Sequence, residues 1–387
     1  MHIVPFVEFI EQKPLYYKEI DHERIHLAYD LLKSHIHHPQ TIHIVGTNGK
    51  GSTGRILAHL AYSSHLKVGH FSSPHILKFN ERVWLNGEDS SDEMLEIAHQ
   101  KLYTIIGSKM SRSLSYFEYT TLLALVVFEN VDLIVLEAGL GGEYDATNVC
   151  PKDLSIITPI GIDHQSLLGD TIEEIASTKI RSIQDRVLLA PQRYREVVEV
   201  AYDIARDRGA TLYRLSDDRV DISGIVLDNS WANYLEENAQ VAIKALDILG
   251  IDYEIEDLRG LKLFARYYPL SSNIHIDVGH NPLAAQAIVE VLERESILIY
   301  NSLDDKDYTK VLEILKPKIS KVEIIPIPSQ RAATLDQIEK SISSVGLEYS
   351  IFDGSIDRDR EYIVFGSFLV VEEFLKIYQS QNIDHKN

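Results

Sequence analysis

Short apolar runs alternate with amphipathic helical patterns along most of the chain. Residues 21–35 carry apolar side chains at helical spacing and predict a helix. The apolar runs that follow are short enough to be strands: "TIHIV" (41–45), "KVGHF" (67–71), "VDLIVLEAGL" (131–140), "LSIITPIGI" (154–162) and "RVLLA" (186–190). This alternation is typical of a mostly parallel β-sheet covered by helices.

A second series of the same kind occupies the last third of the chain. Before it, residues 238–250 predict an amphipathic helix that ends at a glycine, and the acidic stretch "DYEIEDL" follows. The later strand-like runs are "SNIHIDVG" (272–279), "SILIYN" (296–301), "KVEIIPI" (321–327) and "YIVFGSF" (362–368). We therefore predict a two-domain α/β protein with domains at residues 1–259 and 260–387.

The composition agrees with two globular domains. The chain has 387 residues, too many for one ordinary core, and is 45% hydrophobic and 25% charged. It lacks the roughly 18-residue apolar run of a membrane span, and its N-terminus lacks a signal pattern. The single cysteine, Cys150, excludes an internal disulfide framework, so we expect a cytoplasmic protein without membrane contact.

The charge balance limits the ligands that the chain can bind. Its 38 basic and 58 acidic residues give a formal net charge of −20. A surface this acidic argues against general binding of nucleic acid. An anionic substrate would therefore need a local basic or metal site.

The segment "HIVGTNGKGST" (43–53) reads as a strand, a glycine-rich loop and the start of a helix. It departs from the common phosphate-loop spacing G-x-x-x-x-G-K-[ST], because Ile44 occupies the first glycine position and Gly51 follows Lys50. The residues alone leave two interpretations open: a phosphate-binding loop of another design, or a structural turn with three glycines.

Four predicted strands end in residues suited to phosphate or metal. The first is followed by loop 46–52, where Lys50 and the hydroxyl of Ser52 or Thr53 could meet an anion and its metal. The others end at Ser72-Ser73-Pro74-His75, at Glu137 and at Asp163-His164. Each signal alone is more often structural, but the carboxyl ends of strands meet at one edge of such a sheet. Together they predict a nucleotide phosphate site with a divalent metal. The segment "GLGGEYDATN" (139–148) does not match the dinucleotide fingerprint G-x-G-x-x-G.

Longer motifs, in fixed order, resemble a known family. They are "HIVGTNGKGST", "SSPHILKFNERVWLNG" (72–87), "FEYTTLLAL" (117–125), "LEAGLGGEYDATNV" (136–149), "ITPIGIDHQSLLGDTIEEIASTK" (157–179), "IDVGHNP" (276–282), "SLDDKD" (302–307) and "VFGSF" (364–368). In order and spacing they resemble folylpolyglutamate synthase/dihydrofolate synthase, a family of Mur-type ATP-dependent ligases. The resemblance implies an N-terminal P-loop-type ATPase domain with a mostly parallel sheet and a smaller, Rossmann-like C-terminal α/β domain.

The resemblance also implies roles for individual residues. The ATP-binding set is Thr47, Asn48, Gly49, Lys50, Gly51, Ser52, Thr53, Asn238, Arg266 and Asp277. One Mg²⁺ would be held by Ser52, Ser73 and Glu137, and a second by His164 and a carbamylated Lys179. Lys50, His164, Lys179 and His280 would be catalytic, with His280 near the terminal phosphate. Phe117 and Glu118 would face the pterin part of the substrate. Without the family, "HNP" is also an ordinary helix start and Arg266 an ordinary surface arginine.

Three positions depart from the family pattern. Glu143 stands where arginine is usual, and Ile180-Arg181-Ser182 replaces the usual alanine-glycine-isoleucine after Lys179. Phe264-Ala265-Arg266 keeps only the arginine of a proline-glycine-arginine motif. We expect an altered anion contact at Glu143 and altered packing beside Lys179.

The implied activity is ATP-dependent ligation of L-glutamate to 7,8-dihydropteroate through an acyl phosphate, with γ-glutamyl extension of reduced folates. Three alternatives stay open: an enzyme with only one of these activities, another Mur-type amino-acid ligase, and a nucleotide-binding switch without turnover. We expect a monomer whose partners are ATP, L-glutamate and the pteroate or folate substrate.

Overall fold

The computed structural model of the chain describes residues 3–14, 21–215 and 219–384. These divide into two units. Unit 1 takes the described residues of 1–160, 172–222 and 237–259, and unit 2 takes those of 161–171, 223–236 and 260–387. The last boundary between the units falls after Arg259, but residues 161–171 and 223–236 also belong to unit 2.

An eight-stranded sheet forms the centre of unit 1 within the described residues, in the order β4-β3-β2-β5-β1-β6-β7-β8. Strands β2, β5, β1, β6, β7 and β8 run parallel to one another. At the β2 edge, β3 pairs antiparallel with β2, and β4 pairs antiparallel with β3. The strands are β1 (Gln40–Val45), β2 (Val68–Phe71), β3 (Val83–Leu85), β4 (Glu88–Asp89), β5 (Leu133–Glu137), β6 (Leu154–Ile157), β7 (Arg186–Leu189) and β8 (Thr211–Arg214).

A six-stranded sheet forms the centre of unit 2 within its described residues, in the order β13-β12-β11-β14-β10-β9. All neighbours are parallel except the edge strand β9. The strands are β9 (Tyr268–Ser271), β10 (Ile274–Ile276), β11 (Ser296–Tyr300), β12 (Ile319–Ile324), β13 (Tyr349–Ile351) and β14 (Tyr362–Phe365). The predicted two-sheet α/β fold is confirmed.

Helices connect the strands, as parallel pairing requires. They are α1 (Phe6–Glu11), α2 (Glu23–Leu32), α3 (Lys50–Ser63), α4 (Asp92–Ser113), α5 (Tyr116–Val127), α6 (Gln165–Leu168), α7 (Ile172–Ile180), α8 (Arg195–Arg208), α9 (Ser223–Asp228), α10 (Asn233–Leu249), α11 (Pro282–Val291), α12 (Tyr308–Leu315), α13 (Leu335–Val345) and α14 (Phe368–Asp384). No helix among the described residues is both long and apolar enough to cross a bilayer.

Each sheet has its own apolar core. In unit 1, helices α2, α4 and α5 bury their apolar faces against β2 and β5. In unit 2, helices α11, α12 and α13 do the same against β11, β12 and β14. Strands such as β5 and β11 are buried along their whole length, which is why they read as continuous apolar runs.

One predicted strand is too long. The apolar run 154–162 reads as a single strand, but β6 ends at Ile157. Pro159 follows and has no N–H to continue a ladder. Its carbonyl instead accepts hydrogen bonds from the N–H groups of Thr47 and Asn48, at 3.0 and 3.1 Å. Asp163 and the residues around it therefore lie beyond the strand and belong to unit 2.

A buried histidine in β2 is a weak point of unit 1. His70 is fully buried, and neither of its ring nitrogens has a hydrogen-bond partner within the described part of the chain. Burial, with a smaller contribution from the charge of Arg55, lowers the pKa of His70 well below its ordinary value. The folded protein therefore binds fewer protons at this site than the unfolded chain does below about pH 6.5.

We predict that His70→Leu stabilises the protein, and more so in acid. Removing an unsatisfied buried ring should raise the free energy of unfolding by about 1 kcal/mol at pH 7.5. The gain should grow at pH 5.5, because the wild-type loses stability as the pH falls through about 6.5 and the variant lacks this contribution. Urea unfolding at both pH values measures it, with the exposed His37→Leu as control. An unchanged pH dependence in His70→Leu would contradict the assignment.

Candidate active site

Three adjacent parallel strands of unit 1 end in predicted site residues. The order β2-β5-β1 places the exits towards Ser73, Glu137 and the loop that begins at Gly46 next to one another. Because parallel strands end at the same edge of a sheet, this is where an open α/β sheet binds its ligands. The predicted meeting of these strand ends is observed.

The loop after β1 leads directly into α3. Gly49 is the residue before the helix and has a φ of +85°, a left-handed conformation that favours glycine. A Cβ at Gly49 would also lie 2.7 Å from Oδ1 of Asn238. The loop thus needs glycine here for two reasons. The amino end of α3, with its oriented N–H groups, is suited to bind an anion.

Lys50 and Glu137 face each other beside this loop. Nζ of Lys50 lies 4.0 Å from Oε1 of Glu137 and donates hydrogen bonds to the carbonyls of Gly46 and Thr47, at 3.3 and 3.2 Å. The backbone N–H of Ser73 donates to Oε2 of Glu137 at 3.2 Å. Both charged side chains are largely shielded from solvent. A cation and a carboxylate are therefore held close together beside the glycine loop.

Ser52 is positioned by α10. Nδ2 of Asn238 donates to Oγ of Ser52 at 2.8 Å, and Ser52 donates to the carbonyl of Gly49 at 3.2 Å. The neighbouring Thr53 is fully buried within α3, and its backbone N–H donates to the carbonyl of Gly49. Asn238 therefore supports the loop from the side, and it fixes the hydroxyl of Ser52, which is 3% exposed.

The oxygen groups of this site suit magnesium. Glu137 offers a carboxylate, and Ser52 and Ser73 offer hydroxyls, which are the hard ligands that Mg²⁺ binds. Within the described ranges no group of three or more His, Cys, Asp or Glu side chains is arranged to hold a metal. A metal here would therefore depend on hydroxyl and phosphate oxygens in addition to one carboxylate, as magnesium in nucleotide sites commonly does.

Lys179 reaches the same loop from α7. It is 4% exposed, and its Nζ donates to the carbonyl of Gly46 at 3.0 Å. Gly46 thus accepts from two lysines, because Lys50 donates to the same oxygen. The two ammonium groups cannot be farther apart than the sum of the two hydrogen-bond lengths.

The predicted substrate residues lie at the start of α5. The ring of Phe117 packs against Phe71 with centroids 5.8 Å apart. The carboxylate of Glu118 accepts several hydrogen bonds from Arg24, the shortest 2.8 Å, and caps the helix through the N–H of Ser115. Glu118 is thus held by two partners, and its role towards a pterin stays a prediction.

A separate polar cluster lies in unit 2 around Asp163. Lys306 donates to Oδ1 of Asp163 at 2.6 Å, and Nε2 of His280 lies 3.6 Å from its other oxygen. Nζ of Lys306 also lies 3.3 Å from Nε2 of His164. Burial alone would raise the pKa of Asp163, but His280 and Lys306 hold it well below its ordinary value. The structure thus brings together the predicted residues His164 and His280.

Two residues of the predicted ATP-binding set, Asp277 and Arg266, also lie in unit 2. Asp277 is buried after β10, and its carboxylate accepts from the Tyr234 hydroxyl at 2.7 Å and from the N–H groups of Tyr267 and Gly279. Burial raises the pKa of Asp277, although these donors oppose it. The guanidinium of Arg266 stands over the ring of Phe368 at 5.4 Å.

Sequence reasoning did not assign roles to three residues of these clusters. Asp163 was visible only as a strand-end carboxylate, Lys306 only as part of "SLDDKD", and Tyr234 not at all. The motifs around Asp163 and Lys306 carried the signal, because each belongs to a segment shared with the family. The partnership between them joins residues 143 positions apart, which no local pattern reveals.

The site defines the class of protein. An anion-binding loop with a lysine, a carboxylate and hydroxyls on adjacent strands, in a chain with a second α/β unit, suits a protein that binds the phosphates of a nucleotide. No protein-family model matches the chain. A dihydrofolate synthase/folylpolyglutamate synthase of Haemophilus influenzae is 30% identical over 88% of this chain and 89% of the relative. The chain therefore belongs to the dihydrofolate synthase/folylpolyglutamate synthase family.

Solved structures agree with this assignment. Helicobacter pylori folylpolyglutamate synthetase is 39% identical, with a TM-score of 0.79 over 97% of this chain and 98% of that one. Escherichia coli FolC in complex with DHPP and ADP is 26% identical, with a TM-score of 0.83 over 98% and 99%. A bifunctional folylpolyglutamate synthase/dihydrofolate synthase with Mn, AMPPNP and L-glutamate bound is 25% identical, with a TM-score of 0.83 over 97% and 98%.

We predict that Lys306→Met destabilises unit 2 through Asp163. The ion pair is almost fully buried, so the variant leaves an uncompensated carboxylate, which typically costs about 3 kcal/mol or more. Urea unfolding measures this. Because Asp163→Asn removes the unpaired charge, the double variant should lose less than the two single losses together. Lys310→Met, which breaks an exposed pair with Glu313, should cause no measurable change. Additive losses would contradict the pairing.

Proposed function

We propose that the chain ligates L-glutamate to 7,8-dihydropteroate at the expense of ATP and also adds γ-linked glutamates to reduced folates. The observation that carries the proposal is the meeting of Lys50, Glu137 and the Ser73 amide at the exits of three neighbouring strands, beside a glycine loop. Family membership supports the choice of substrates. The related structures bind ADP or AMPPNP, DHPP, Mn and L-glutamate, as their names state.

The first chemical step turns a carboxylate into a good electrophile. A carboxylate oxygen of the pteroate or folate attacks the γ-phosphorus of ATP, and the bond between that phosphorus and the β,γ-bridging oxygen breaks. The products are ADP and an acyl phosphate. Negative charge spreads over the transferring phosphoryl oxygens. The loop amides and Lys50 are placed to balance that charge, which is the main contribution a protein makes to such a transfer.

The second step forms the amide bond. The neutral amine of L-glutamate attacks the acyl carbon, and the tetrahedral intermediate collapses with loss of phosphate and of the amine proton. No nucleophilic side chain is needed. Cys150, the single cysteine, fits this because burial raises the pKa of its thiol to about 11 and keeps it unreactive.

Magnesium completes the phosphate site in this proposal. Glu137, Ser52 and Ser73 would hold one ion, which would neutralise phosphate charge and polarise the transferring group. A second ion, held by His164 and a carbamate on Lys179, is a finer part of the proposal and rests on the family resemblance. So do the assignment of the adenine nucleotide to Arg266 and Asp277 and the place of Asn238 beside the nucleotide.

Three further parts of the proposal concern the whole protein. We infer that it acts as a monomer in the cytoplasm, and that residues 1–259 carry the phosphate and metal sites while 260–387 contribute nucleotide and glutamate contacts. A sedimentation measurement tests the monomer. An enzyme limited to folate elongation is the main alternative, because the Helicobacter pylori neighbour is named only as a folylpolyglutamate synthetase.

The test is a product assay on the full chain. Purified protein receives ATP, Mg²⁺ and L-glutamate with either dihydropteroate or tetrahydrofolate, and products are identified by mass. Both substrates should gain glutamate. Gain with tetrahydrofolate alone would establish the elongation-only alternative, and ATP binding without any product would indicate a nucleotide switch.

We predict that Lys50→Ala lowers turnover in this assay by at least about a hundredfold, the usual loss for one charge-stabilising group. Lys50 is largely shielded and donates to two backbone carbonyls, so circular dichroism first checks that the variant is folded. Lys67→Ala, which removes an exposed lysine of the same unit, should keep wild-type turnover. Near-normal activity in folded Lys50→Ala would rule out the phosphate-binding role of the loop.

The position of Lys179 supports a carbamate on its amine. Two ammonium groups on the Gly46 carbonyl would repel each other by about 3 kcal/mol in a partly buried site. Reaction of the neutral amine with CO₂ releases one proton and gives –NH–COO⁻, which turns this repulsion into attraction. The modified nitrogen keeps one N–H, so its hydrogen bond to Gly46 can persist.

We predict that Lys179→Ala loses most ligase activity while its ATP affinity, measured by titration calorimetry, stays within a few-fold of wild type. Formate or acetate should partly restore turnover by occupying the place of the carbamate. A readout independent of activity is ¹³C NMR with ¹³CO₂, in which the wild type should show a carbamate signal that Lys179→Ala lacks. Full activity of the variant together with the same spectrum in both proteins would exclude the modification.

A further inference from the structure

A chain of buried polar groups lies beneath the active-site loops of unit 1. Nζ of Lys152 lies 3.4 Å from Nδ1 of His43, and Nε2 of His43 lies 2.8 Å from Oγ1 of Thr147. Thr147 donates to Oδ1 of Asp145 at 2.5 Å. All four residues are less than a tenth exposed. No role in the proposed reaction has been given to any of them.

The partners fix the direction of every proton in this chain. Because the Thr147 hydroxyl donates to Asp145, it accepts from His43, so Nε2 of His43 carries its proton. Nδ1 is then the acceptor and Lys152 the donor. Burial lowers the pKa of Lys152 to about 8, so the ammonium persists at neutral pH. An ammonium and a carboxylate thus terminate one polarised chain of hydrogen bonds.

Lys152 also holds the end of α7. Its Nζ donates to the carbonyl of Ser182 at 2.9 Å and to the side-chain oxygen of Asn148. Ser182 in turn donates through its hydroxyl to the carbonyl of Lys179 at 2.8 Å. Through its two hydrogen bonds, Ser182 therefore connects the buried ammonium of Lys152 to the backbone of Lys179.

The loop after β5 is fastened to the same turn of α7. The backbone N–H of Glu143 donates to the carbonyl of Thr178 at 3.0 Å, and Asn148 donates to the carbonyl of Glu143 at 2.8 Å. A Cβ on Gly142 would lie 2.3 Å from the carbonyl oxygen of Lys179, so only glycine allows this approach. Lys152 completes the connection, because it bonds to Asn148 in the loop and to Ser182 in the turn that follows α7.

We propose that Lys152 is a positioning residue, which fixes the last turn of α7 against the loop 139–148 and so sets the place of the Lys179 side chain at Gly46. Its effect on turnover rests on the role proposed for Lys179. Its effect on α7 does not. A displacement of about 1 Å in a reacting group can cost about a hundredfold in rate.

An ordinary structural lysine is the competing explanation, and the chain contains one for comparison. Lys13 is as exposed as Lys152, at 8%, and donates to two backbone carbonyls, those of Ser111 and Leu114. Burial lowers its pKa to about 8 as well. It differs in bonding to the last turn of α4 and the residue that follows that helix. Among the described residues it has no hydrogen bond to α7. Lys13→Met is therefore a matched control for general destabilisation.

The test compares Lys152→Met with Lys13→Met in the full chain. Backbone amide hydrogen exchange is followed for residues 176–182, and kcat and KM are measured in the ligase assay. Lys152→Met should exchange at least tenfold faster there and lose at least tenfold in kcat, with the KM for ATP within about threefold. Lys13→Met should lower Tm by a similar amount and leave exchange in residues 176–182 unchanged.

Two results would overturn the proposal: wild-type exchange or wild-type kcat in folded Lys152→Met, or equally fast exchange in Lys13→Met. If the wild-type chain has no ligase turnover, the proposed function fails, and the exchange comparison still decides the role of Lys152. If Lys152→Met does not fold, Ser182→Ala replaces it. That variant removes only the hydroxyl bond to Lys179, and it should raise exchange at the same amides and lower kcat at least threefold. No change in either would again refute the role.

Discussion

Two lysines share one carbonyl oxygen at the glycine loop of unit 1, and the rest of the site is arranged around that constraint. Lys50 and Lys179 both donate to Gly46, which is the first residue after β1. Positive charge concentrated in this way is unfavourable unless anions approach it. Glu137 is one fixed anion beside them, at 4.0 Å from Lys50. The carbamate proposed on Lys179 would remove the second positive charge, and Lys50 would remain to meet an incoming triphosphate.

The loop around Gly46 has to be rigid if two lysines are to share its carbonyl oxygen. On one side, the carbonyl of Pro159 holds the N–H groups of Thr47 and Asn48. On the other, Asn238 lies against Gly49 so closely that a methyl group would not fit. The loop is therefore clamped between the segment after β6 and helix α10. Its glycines are required by contacts from distant parts of the chain, in addition to the turn itself.

Local patterns were sufficient to predict much of this architecture. The apolar runs placed the strands within a few residues, and the rule for parallel sheets correctly brought Ser73, Glu137 and the loop to one edge. Pro159 shows where the method failed, because apolarity alone does not reveal that a strand has ended. Neither the apolar pattern nor the rule for parallel sheets could predict the His43–Lys152 chain or the Asp163–Lys306 pair. Their members lie 109 and 143 positions apart and are ordinary residues in isolation.

Two departures from the family pattern turn out to be neighbours. Glu143 replaces the usual arginine, and Arg181 stands where glycine is usual. Their side chains lie 3.6 Å apart. Since half of Arg181 is exposed, the pair contributes little to stability. The pair is neutral, whereas the usual arginine and glycine together carry one positive charge. Ser182, the next residue, has a hydroxyl that donates to the carbonyl of Lys179, a contact that isoleucine cannot make. The altered segment thus adds one ion pair to the loop and one hydrogen bond within the end of α7.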